Sequence, residues 1–281
     1  MESVRWADSD RPGLDRPVVI AAFEGWNDAG DAATLAAGWL ASRWAPDPLA
    51  DIDPEEFFDF TANRPRVQLD DEGVRSIEWP ANTFTVGTEG GTSAVVLVGT
   101  EPQLHWRSFC RQVIGVAEAL DARLVLTLGA LLAEVPHSRP TSVVGTATDE
   151  SVIERLELAR STYEGPTGIV GVLADACARA GLASASLWAT VPAYVPGAPS
   201  PKAALALVER SAELLGVPIL ATDLEIAAAA YERQVSEVVA DDEDMAGYVE
   251  RLEERFDGDE AVSSASLVDE VEQFLRERPP G

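Results

Sequence analysis

The groups best suited to chemistry in this sequence lie in loops that follow short apolar segments. In the richest of these loops, residues 134–140, two prolines bracket His137, Ser138 and Arg139. An imidazole exchanges protons near neutral pH, and a guanidinium binds a carboxylate or another anion through two parallel hydrogen bonds. The loop therefore predicts a rigid surface that recognises an anion or a carboxylate, with acid–base catalysis as a second hypothesis.

The catalytic hypothesis needs a carboxylate beside the imidazole, and Glu24 and Glu101 in two other loops could supply it. Either could act as a general acid or base next to His137. No nucleophile is recognisable, because Ser138 does not lie in the Gly-x-Ser-x-Gly pattern of a nucleophile elbow. A structural alternative is that Arg139 pairs with Glu101 or Glu24 and holds the loops together. We therefore favour recognition and assign no catalytic residue.

Aromatic and further polar residues accompany these groups in the same loops. Aromatic side chains beside polar loops are frequent at protein interfaces and also in cores, so both roles stay open. The candidate recognition residues are Glu24, Trp26, Asn27, Asp28, Glu101, Trp106, His137, Arg139, Tyr194 and Lys202. His105 and His137 do not lie within metal-ligand spacing of a cysteine or of each other. We expect neither a metal nor another cofactor.

Four apolar segments rich in β-branched residues precede these loops. They span residues 18–23, 94–98, 124–128 and 186–191. Continuous apolar runs of this length are typical of strands that are covered on both faces, and amphipathic helical segments alternate with them. The pattern predicts the α/β class, a three-layer α/β/α sandwich around a largely parallel sheet. Because ligands bind outside the carboxyl ends of such strands, we expect the loops to face one crevice.

Local signals place further element boundaries. A helix often begins at a residue whose side chain accepts hydrogen bonds from the first free amides of that helix. Such residues predict helix starts at Asn27 or Asp28, at the capping boxes of residues 151–154 and 222–225, and at Ser200. Short strands are expected at residues 57–60, 67–69 and 76–79, as an inserted hairpin, and at 141–146. Residues 88–93 predict a tight hairpin turn.

The C-terminal part of the sequence is helical in pattern and strongly acidic. We divide the chain into an α/β/α core domain, residues 1–218, and an acidic helical extension, residues 219–281. Apolar stripes within residues 245–256 and 267–274 predict a helical hairpin. Residues 241–281 hold fourteen acids against four arginines. This charge is either a solvated outer face or a docking surface for a basic partner.

The composition argues against several classes of protein. A net charge of −27 disfavours nucleic-acid binding, which depends on clustered basic residues. The single lysine, Lys202, is not part of a Gly-Lys-Ser/Thr phosphate loop. The apolar runs are far shorter than the ~20 residues that cross a bilayer, and residues 1–16 lack the apolar core of a secretory signal. We therefore expect a cytoplasmic protein, with Cys110 and Cys177 as buried thiols.

Four groups of motifs, in order along residues 17–217, make the sequence recognisable. They are Phe23-Glu-Gly-Trp-Asn-Asp-Ala-Gly30, Gly99-Thr-Glu-Pro102 with Trp106, Leu128-Gly-Ala130 before Pro136-His-Ser-Arg-Pro140, and Val191-Pro-Ala-Tyr194 before Pro199-Ser-Pro-Lys202. With them the chain resembles the proteasome assembly chaperone family, in its bacterial, actinobacterial-type branch. The resemblance implies a phosphorylase-like core, oligomers and, in archaeal and eukaryotic members, binding to proteasome α subunits.

Two hypotheses about function follow. The leading one is a non-enzymatic, homo-oligomeric, chaperone-like scaffold that binds protein, with proteasome subunits as the expected partner. Archaeal-type relatives dock through a C-terminal hydrophobic-Tyr-any tripeptide, whereas this sequence ends Arg278-Pro-Pro-Gly281, so docking by the tail is not expected. The alternative is a small-molecule-binding protein, or a hydrolase- or phosphorylase-type enzyme, that uses the strand-end crevice; the fold alone supports it only weakly.

Overall fold

The four apolar segments lie side by side at the centre of a nine-stranded sheet in the computed structural model of the protein, which describes residues 3–8, 13–70 and 73–259. The strands are β1 (Val4–Trp6), β2 (Val18–Glu24), β3 (Asp47–Ile52), β4 (Arg66–Leu69), β5 (Arg75–Glu78), β6 (Asn82–Glu89), β7 (Thr92–Thr100), β8 (Leu124–Ala133), β9 (Val143–Ala147), β10 (Ala159–Arg160) and β11 (Ser184–Pro192). The helices are α1 (Ala32–Trp44), α2 (Trp106–Ala119), α3 (Glu150–Leu156), α4 (Ile169–Ala180), α5 (Pro201–Leu215), α6 (Thr222–Ala240) and α7 (Glu243–Asp259), with 3₁₀ turns at Ala29–Asp31 and Pro54–Glu56.

The strands of the large sheet follow the order β1-β3-β6-β7-β2-β8-β11-β9-β10. The inner strands β7, β2, β8 and β11 are parallel neighbours, as the sequence predicts. The expectation of a largely parallel sheet is wrong for the flanks, where β1, β3 and β6 on one side and β9 on the other pair antiparallel. On the first flank β6 and β7 pair antiparallel because a turn at Gly90-Gly91 joins them. The φ angles of these two residues, 57° and 81°, suit glycine and a tight hairpin.

Side chains of the inner strands alternate between two faces, and helices cover both. On one face Val18 packs with Leu40 of α1 and Leu207 of α5. On the opposite face Val19 packs with Val113 of α2 and with residues of α4. Alternation of this kind is the period-2 geometry of a strand buried on both sides. The predicted three-layer α/β/α sandwich is therefore confirmed.

The segment between β3 and β6 contains the inserted hairpin, in which β4 pairs antiparallel with β5 as a sheet of its own. The strand expected at residues 57–60 is wrong, because Phe57 is buried at a turn and its ring meets Phe109 edge-on at 5.4 Å. The sequence pattern also misses β3. Pro48 cannot donate to a strand ladder, and the structure accommodates it beside a bulge between Pro48 and Ala50.

Helix starts agree with the sequence signals at some positions and differ at others. Ser200 caps α5 with its side chain, as predicted. The helix start expected at Asn27 or Asp28 is wrong, because a 3₁₀ turn intervenes and Asp31 occupies the N-cap position of α1. The Asp28 carboxylate still accepts hydrogen bonds from the first turn of α1. The capping box expected at Ser151 is wrong, because Asp149 caps α3 instead. The box expected at Thr222 is wrong as well, since Thr222 is already the first residue of α6.

The C-terminal helices are layered onto the core, with α6 against α5 and α7 against α6. Trp39 of α1 donates its indole N–H to the carboxylate of Asp223 on α6 at 3.1 Å. The first predicted apolar stripe lies on α7, where Leu252 is buried, whereas residues 267–274 lie outside the described residues. The domain border at residue 218 stays a prediction. No helix in the described ranges is long and apolar enough to span a membrane.

Candidate functional site

The carboxyl ends of β2 and β8 mark the point where the strand order reverses, because the chain leaves β2 for β7 on one side and reaches β8 on the other. Doubly wound proteins bind ligands in the crevice at such a point. Here the backbone N–H of Ala130 donates to the carbonyl of Asn27 at 2.8 Å, and Asp28 forms a parallel bridge to Ala130. The chain itself thus joins the ends of β2 and β8, and beside this bridge Trp26, Asp28 and residues 196–199 line a cavity of about 330 Å³.

The buried carboxylate of Asp28 fixes the start of α1. It accepts hydrogen bonds from the backbone N–H groups of Ala33 at 2.7 Å and Thr34 at 3.2 Å, and from the Thr34 hydroxyl. Burial raises the pKa of this carboxyl to about 6, against the opposing effect of those hydrogen bonds. Asp28 is thus a helix-capping group that titrates in the physiological range.

Glu101 caps a second helix. Its Oε1 accepts from the backbone N–H of Ile169, the first residue of α4, at 2.8 Å, and its Oε2 accepts from the N–H of Trp26 at 3.4 Å. A carboxylate at a helix N-terminus is favoured by the free amides and by the helix dipole. This arrangement requires a glycine at position 168, because a Cβ on Gly168 would lie 2.0 Å from Asn27 Oδ1 and 2.8 Å from Glu101 Oε1.

The remaining residues of this end of the sheet face two separate spaces. Glu24 is exposed and lines an open groove of about 550 Å³ that also touches the β4–β5 hairpin. Trp26 and Asn27 line a different cavity of about 500 Å³. Trp106 is half-buried against the core, and its indole N–H donates to the carbonyl of Pro102.

His137 lies at the centre of a closed hydrogen-bond network. Its backbone N–H donates to the Tyr194 hydroxyl oxygen at 2.8 Å, Nδ1 lies 2.8 Å from that hydroxyl, and Nε2 lies 2.9 Å from Ser236 Oγ. Because the Ser236 hydroxyl donates to the carbonyl of Glu232, it accepts from Nε2–H, which leaves Nδ1 to accept from Tyr194. Burial, together with the nearby positive charge of Lys202, lowers the pKa of His137. The geometry is that of a neutral structural histidine.

Two neighbours complete this network. Lys202 Nζ donates to the carbonyl oxygen of His137 at 2.6 Å and bridges to the Glu232 carboxylate on α6. Burial raises the pKa of Tyr194 to about 12, so its hydroxyl keeps its proton and can donate to the imidazole. The rings of Tyr194 and of Tyr248 on α7 pack edge to face, with their centroids 6.0 Å apart.

The rest of the 134–140 loop is bonded to α7. Arg139 forms a two-pronged pair with Asp257, 2.7 Å on each side, and lies 3.5 Å from Glu253. The Ser138 hydroxyl donates to the Glu253 carboxylate, and the Arg255 guanidinium donates to the Glu134 carboxylate at 3.3 Å. The alternative in which Arg139 pairs with Glu24 or Glu101 is therefore wrong. The guanidinium does bind carboxylates bidentately, as its chemistry predicts, but the carboxylates belong to the same chain.

The structure thus places eight of the ten candidate residues in two groups, and Glu24 and Trp106 belong to neither. One group lies at the ends of β2 and β7, where Asp28 fixes α1 and Glu101 fixes α4: Trp26, Asn27, Asp28 and Glu101. The other lies beneath α6 and α7: His137, Arg139, Tyr194 and Lys202. Sequence reasoning missed the helix partners of the second group, Glu232 and Ser236 on α6 and Glu253 and Asp257 on α7. Their only local signal is the i,i+4 spacing within each pair, which places both members on one helix face.

Thiols and metal ligands add no further site to this region. Cys110 and Cys177 are buried, and burial raises the pKa of the Cys110 thiol to about 11 and that of Cys177 to about 12. Thiols of this kind are poor nucleophiles, because the thiolate is the reactive form. Among the residues that the structure describes, no group of three or more His, Cys, Asp or Glu side chains is arranged to hold a metal ion.

Comparison with known proteins accounts for the motifs in these loops. The model of the PAC2 family matches residues 22–239, which is most of the chain and includes every candidate residue. The chain belongs to the PAC2 family. Its predicted resemblance to the actinobacterial-type proteasome assembly chaperones is confirmed.

Two solved structures of similar proteins support this assignment, and a third shares the fold. A PAC2 family protein from Streptomyces avermitilis is 43% identical, over 83% of this chain and 99% of that one, with a TM-score of 0.76. A proteasome-assembly chaperone homologue from Mycobacterium tuberculosis is 42% identical over 83% and 99%, with a TM-score of 0.74. PbaB of Pyrococcus furiosus, an archaeal proteasome activator, shares the fold at 19% identity, over 85% and 99%, with a TM-score of 0.68. No curated protein matches this chain.

The range of the family match helps to interpret the site. It crosses the predicted border at residue 218 and includes α6, with Glu232 and Ser236. It ends before α7, whose Glu253 and Asp257 hold the Ser138-Arg139 part of the loop. The contacts of His137 are therefore made within the PAC2 region, whereas those of Arg139 depend on a helix beyond it.

Proposed function

We propose that this PAC2 protein is a non-enzymatic, chaperone-like scaffold that acts in the cytoplasm as a homo-oligomer and binds other proteins, with proteasome subunits as its partners. The observation that carries the proposal is that the polar loop groups hold helices of the same chain. Glu101 caps α4, and His137 and Arg139 bind α6 and α7. The similarity to the Mycobacterium protein, named a proteasome-assembly chaperone homologue, supports the same function.

The separation of the acid and base groups weighs against an enzyme. Glu101 is committed to the N-terminus of α4, and both ring nitrogens of His137 are within hydrogen-bond distance of side chains of the same chain. A general base needs a free lone pair within reach of the proton that it removes. Neither group offers one to a substrate in this arrangement.

The outer face of α7 supplies a contact surface for a partner. Glu243, Glu250 and Glu254 are exposed and spaced by seven and four residues, which places them on one side of the helix. Glu253 and Asp257, on the flank of this face, fix the helix to the 134–140 loop, and the buried side chains of Val249 and Leu252 lie on its inner side. A fixed helix that presents carboxylates loses little conformational freedom on binding and attracts a basic partner over long range. We assign this acidic face as the docking surface.

The test is capture of proteasome α subunits by the tagged full chain from cells that express both. Enrichment is expected, and it should weaken at high salt because surface charges are screened. The double variant Glu250→Gln and Glu254→Gln should capture less. The matched control Glu118→Gln and Glu154→Gln removes the same charge from exposed positions on α2 and α3 and should capture as well as the wild type. If α subunits are enriched no more than by an unrelated protein of equal charge, the chaperone proposal fails.

A second candidate function, binding of a small molecule, is favoured by the cavity of about 500 Å³ beside α4. Trp26 and Trp188 line it together with Thr146 and Ser186, and aromatic walls with a few polar residues are typical of ligand sites. A thermal-shift screen against uncharged nucleosides and heterocycles tests this function. A ligand at a hundredfold excess over its Kd should add ~2.7 kcal/mol of stability, and Trp26→Ala should abolish the shift. If none of these ligands shifts the thermal midpoint, the small-molecule function is excluded and the scaffold function stands.

A further inference from the structure

The cavity of about 500 Å³ beside α4 exists because small residues form its floor and one of its walls. Ser186 of β11 lies in the floor, and Thr146 of β9 lies directly across from it; such cross-strand partners point to the same side of a sheet. The wall is one face of α4, on which Gly171, Ala174 and Ala178 follow one another at spacings of three and four residues. Larger side chains at these positions would fill the space.

Aromatic residues also line this cavity. Trp26 follows β2, Tyr163 lies in the loop before α4, and Trp188 belongs to β11. All three are half-buried, so each keeps apolar area that a ligand can cover. Contacts between flat rings are favourable beyond the area that they bury. The walls therefore suit a flat ring system.

Glycines make room for four of the side chains in the cavity wall. A Cβ at Gly129 would lie 2.5 Å from the ring of Trp188, its direct neighbour across β8 and β11. Glycine inside a strand weakens the strand and often marks the close approach of another group. Three further pairs share this relation, with Cβ distances of 2.3 Å, 2.0 Å and 2.0 Å: Tyr163 with Gly165, Asn27 with Gly168, and Thr167 with Gly171. The cavity is thus built from closely fitted groups.

Charge limits what the cavity can hold. Among its lining residues that the structure describes, Asp175 alone is charged, and its carboxylate accepts from Arg179 at 2.8 Å within α4. A phosphate or carboxylate would find no cation in the walls, and burying an unpaired charge is costly. A cation would meet an acid that is already paired. The ligand that fits is therefore uncharged.

Asn27 supplies a polar group that can select among uncharged rings. It lines the cavity, it is 4% exposed, and its Oδ1 has no hydrogen-bond partner. Its amide lies over Gly168, which precedes α4, and Thr167 and Gly171 on either side line the cavity. A buried acceptor without a partner is destabilising and rare in native proteins. A ligand that pairs with this amide removes that cost.

The surroundings of the Asn27 amide define the ligand edge that suits it. Asn27 Oδ1 and Glu101 Oε1 lie 2.0 Å and 2.8 Å from the point where a Cβ of Gly168 would be, so two acceptor oxygens lie near each other. A half-turn about the Cβ–Cγ bond exchanges Oδ1 with Nδ2 and turns the N–H donors toward Glu101. A lactam, a ring with C=O and N–H side by side, suits both positions, because it can accept from Nδ2 and donate to Oδ1.

We propose that the cavity beside α4 binds an uncharged, flat lactam, with Asn27 as the residue that determines specificity and with Trp26, Tyr163 and Trp188 as the walls against which the ring packs. The inference rests on the second candidate function, the binding of a small molecule, and names the class of ligand. It leaves the scaffold function of the protein as it stands.

The test compares three ring compounds of similar size by calorimetric titration of the full chain. They are isoquinolone, which is a lactam, its O-methyl ether, which lacks the N–H and the carbonyl, and naphthoate, which is an anion. Isoquinolone is expected to bind about tenfold more tightly than the ether, as the loss of a hydrogen bond to a buried group predicts. Naphthoate should not bind.

Variants locate the site. Asn27→Leu should bind isoquinolone about tenfold more weakly than the wild type does and should no longer distinguish it from the ether. The matched control Asn63→Leu changes an asparagine in the separate groove that Glu24 lines and should bind as the wild type does. Ala174→Leu narrows the cavity from α4 and should weaken binding of both rings, whereas Ala229→Leu on the exposed side of α6 should not. The thermal midpoints of the unliganded variants check that each one folds.

The outcomes separate this inference from the function on which it rests. If the wild type binds isoquinolone and its ether equally well, lactam recognition is wrong, although a small molecule still binds; this result does not depend on any variant. Binding that survives unchanged in both Asn27→Leu and Ala174→Leu would place the ligand elsewhere and overturn the inference. If naphthoate binds most tightly, the argument from charge fails. If no uncharged ring binds the wild type, the inference fails together with the small-molecule function.

Discussion

Replacing the buried carboxyl of Asp28 with an amide is expected to change how stability depends on pH. The pKa of this carboxyl is about 6 in the folded chain, against an ordinary value of 3.8 for aspartate. Between these two pH values the folded state binds a proton that the unfolded state lacks, because burial disfavours the carboxylate. The group therefore stabilises the fold at low pH, and that contribution is lost as the pH rises through about 6.

The size of the effect follows from the two pKa values. Proton binding by Asp28 contributes about 1.4 kcal/mol of stability at about pH 5 and almost none at about pH 7.5. Forty-eight acidic residues contribute to the total pH dependence, so the quantity to compare is the difference between wild type and Asp28→Asn. The amide cannot titrate, but its oxygen can still accept hydrogen bonds from the first turn of α1.

Urea unfolding at the two pH values measures this difference. The free energy of unfolding of Asp28→Asn relative to the wild type should rise by about 1.4 kcal/mol between about pH 5 and about pH 7.5. Glu118→Gln, which removes an exposed carboxyl from α2, controls for the change in net charge. A change of less than about 0.5 kcal/mol for Asp28→Asn would refute the assignment of a raised pKa to the buried cap.

Two further substitutions test the contacts that organise the strand ends. Gly168→Ala places a Cβ 2.0 Å from Asn27 Oδ1 and should lower the free energy of unfolding in urea by about 1–3 kcal/mol. The control Gly38→Ala places its Cβ in open space within α1 and should not lower that free energy. Equal effects of the two variants would contradict the packing described for Gly168. Arg139→Ala removes the pair with Asp257 and should speed hydrogen exchange of α7 amides up to about fivefold. Arg179→Ala, which breaks an exposed pair within α4, should leave α7 unchanged, and equal exchange in both variants would show that Arg139 does not hold α7.

The inner sheet could be predicted because burial on both faces leaves a direct trace in the sequence. Val18 to Phe23 is a continuous apolar run, and such runs occur where helices cover a strand on each side. β6 alternates buried Phe84 and Val86 with more exposed threonines, which is the period-2 signal of a strand with one covered face. β3 carries two acids and Pro48, so its pairing is set by its neighbours rather than by its own preference.

The candidate site was predictable in its groups but not in their partners. The type of Arg139 indicates two-pronged binding of a carboxylate, and the structure shows this chemistry. Nothing in the local sequence selects Asp257, which lies 118 residues further along the chain, over Glu24 or Glu101. That choice follows from how α7 packs on α6, which tertiary contacts decide. In the same way, the location of Asp149 rather than Ser151 at a helix start depends on where the preceding loop leaves β9.

The position of Lys202 has a consequence for covalent labelling of this protein. It is the only lysine in the sequence, its side chain is 16% exposed, and its amine is held by Glu232 and by the carbonyl of His137. Amine-directed cross-linkers, dyes and acylating enzymes need an amine that they can reach, so the folded chain offers them a poor lysine target. The abundant reactive handle is the carboxylate. Carbodiimide coupling to carboxylates, or maleimide chemistry on introduced cysteines, is the practical route for mapping contacts of this chain.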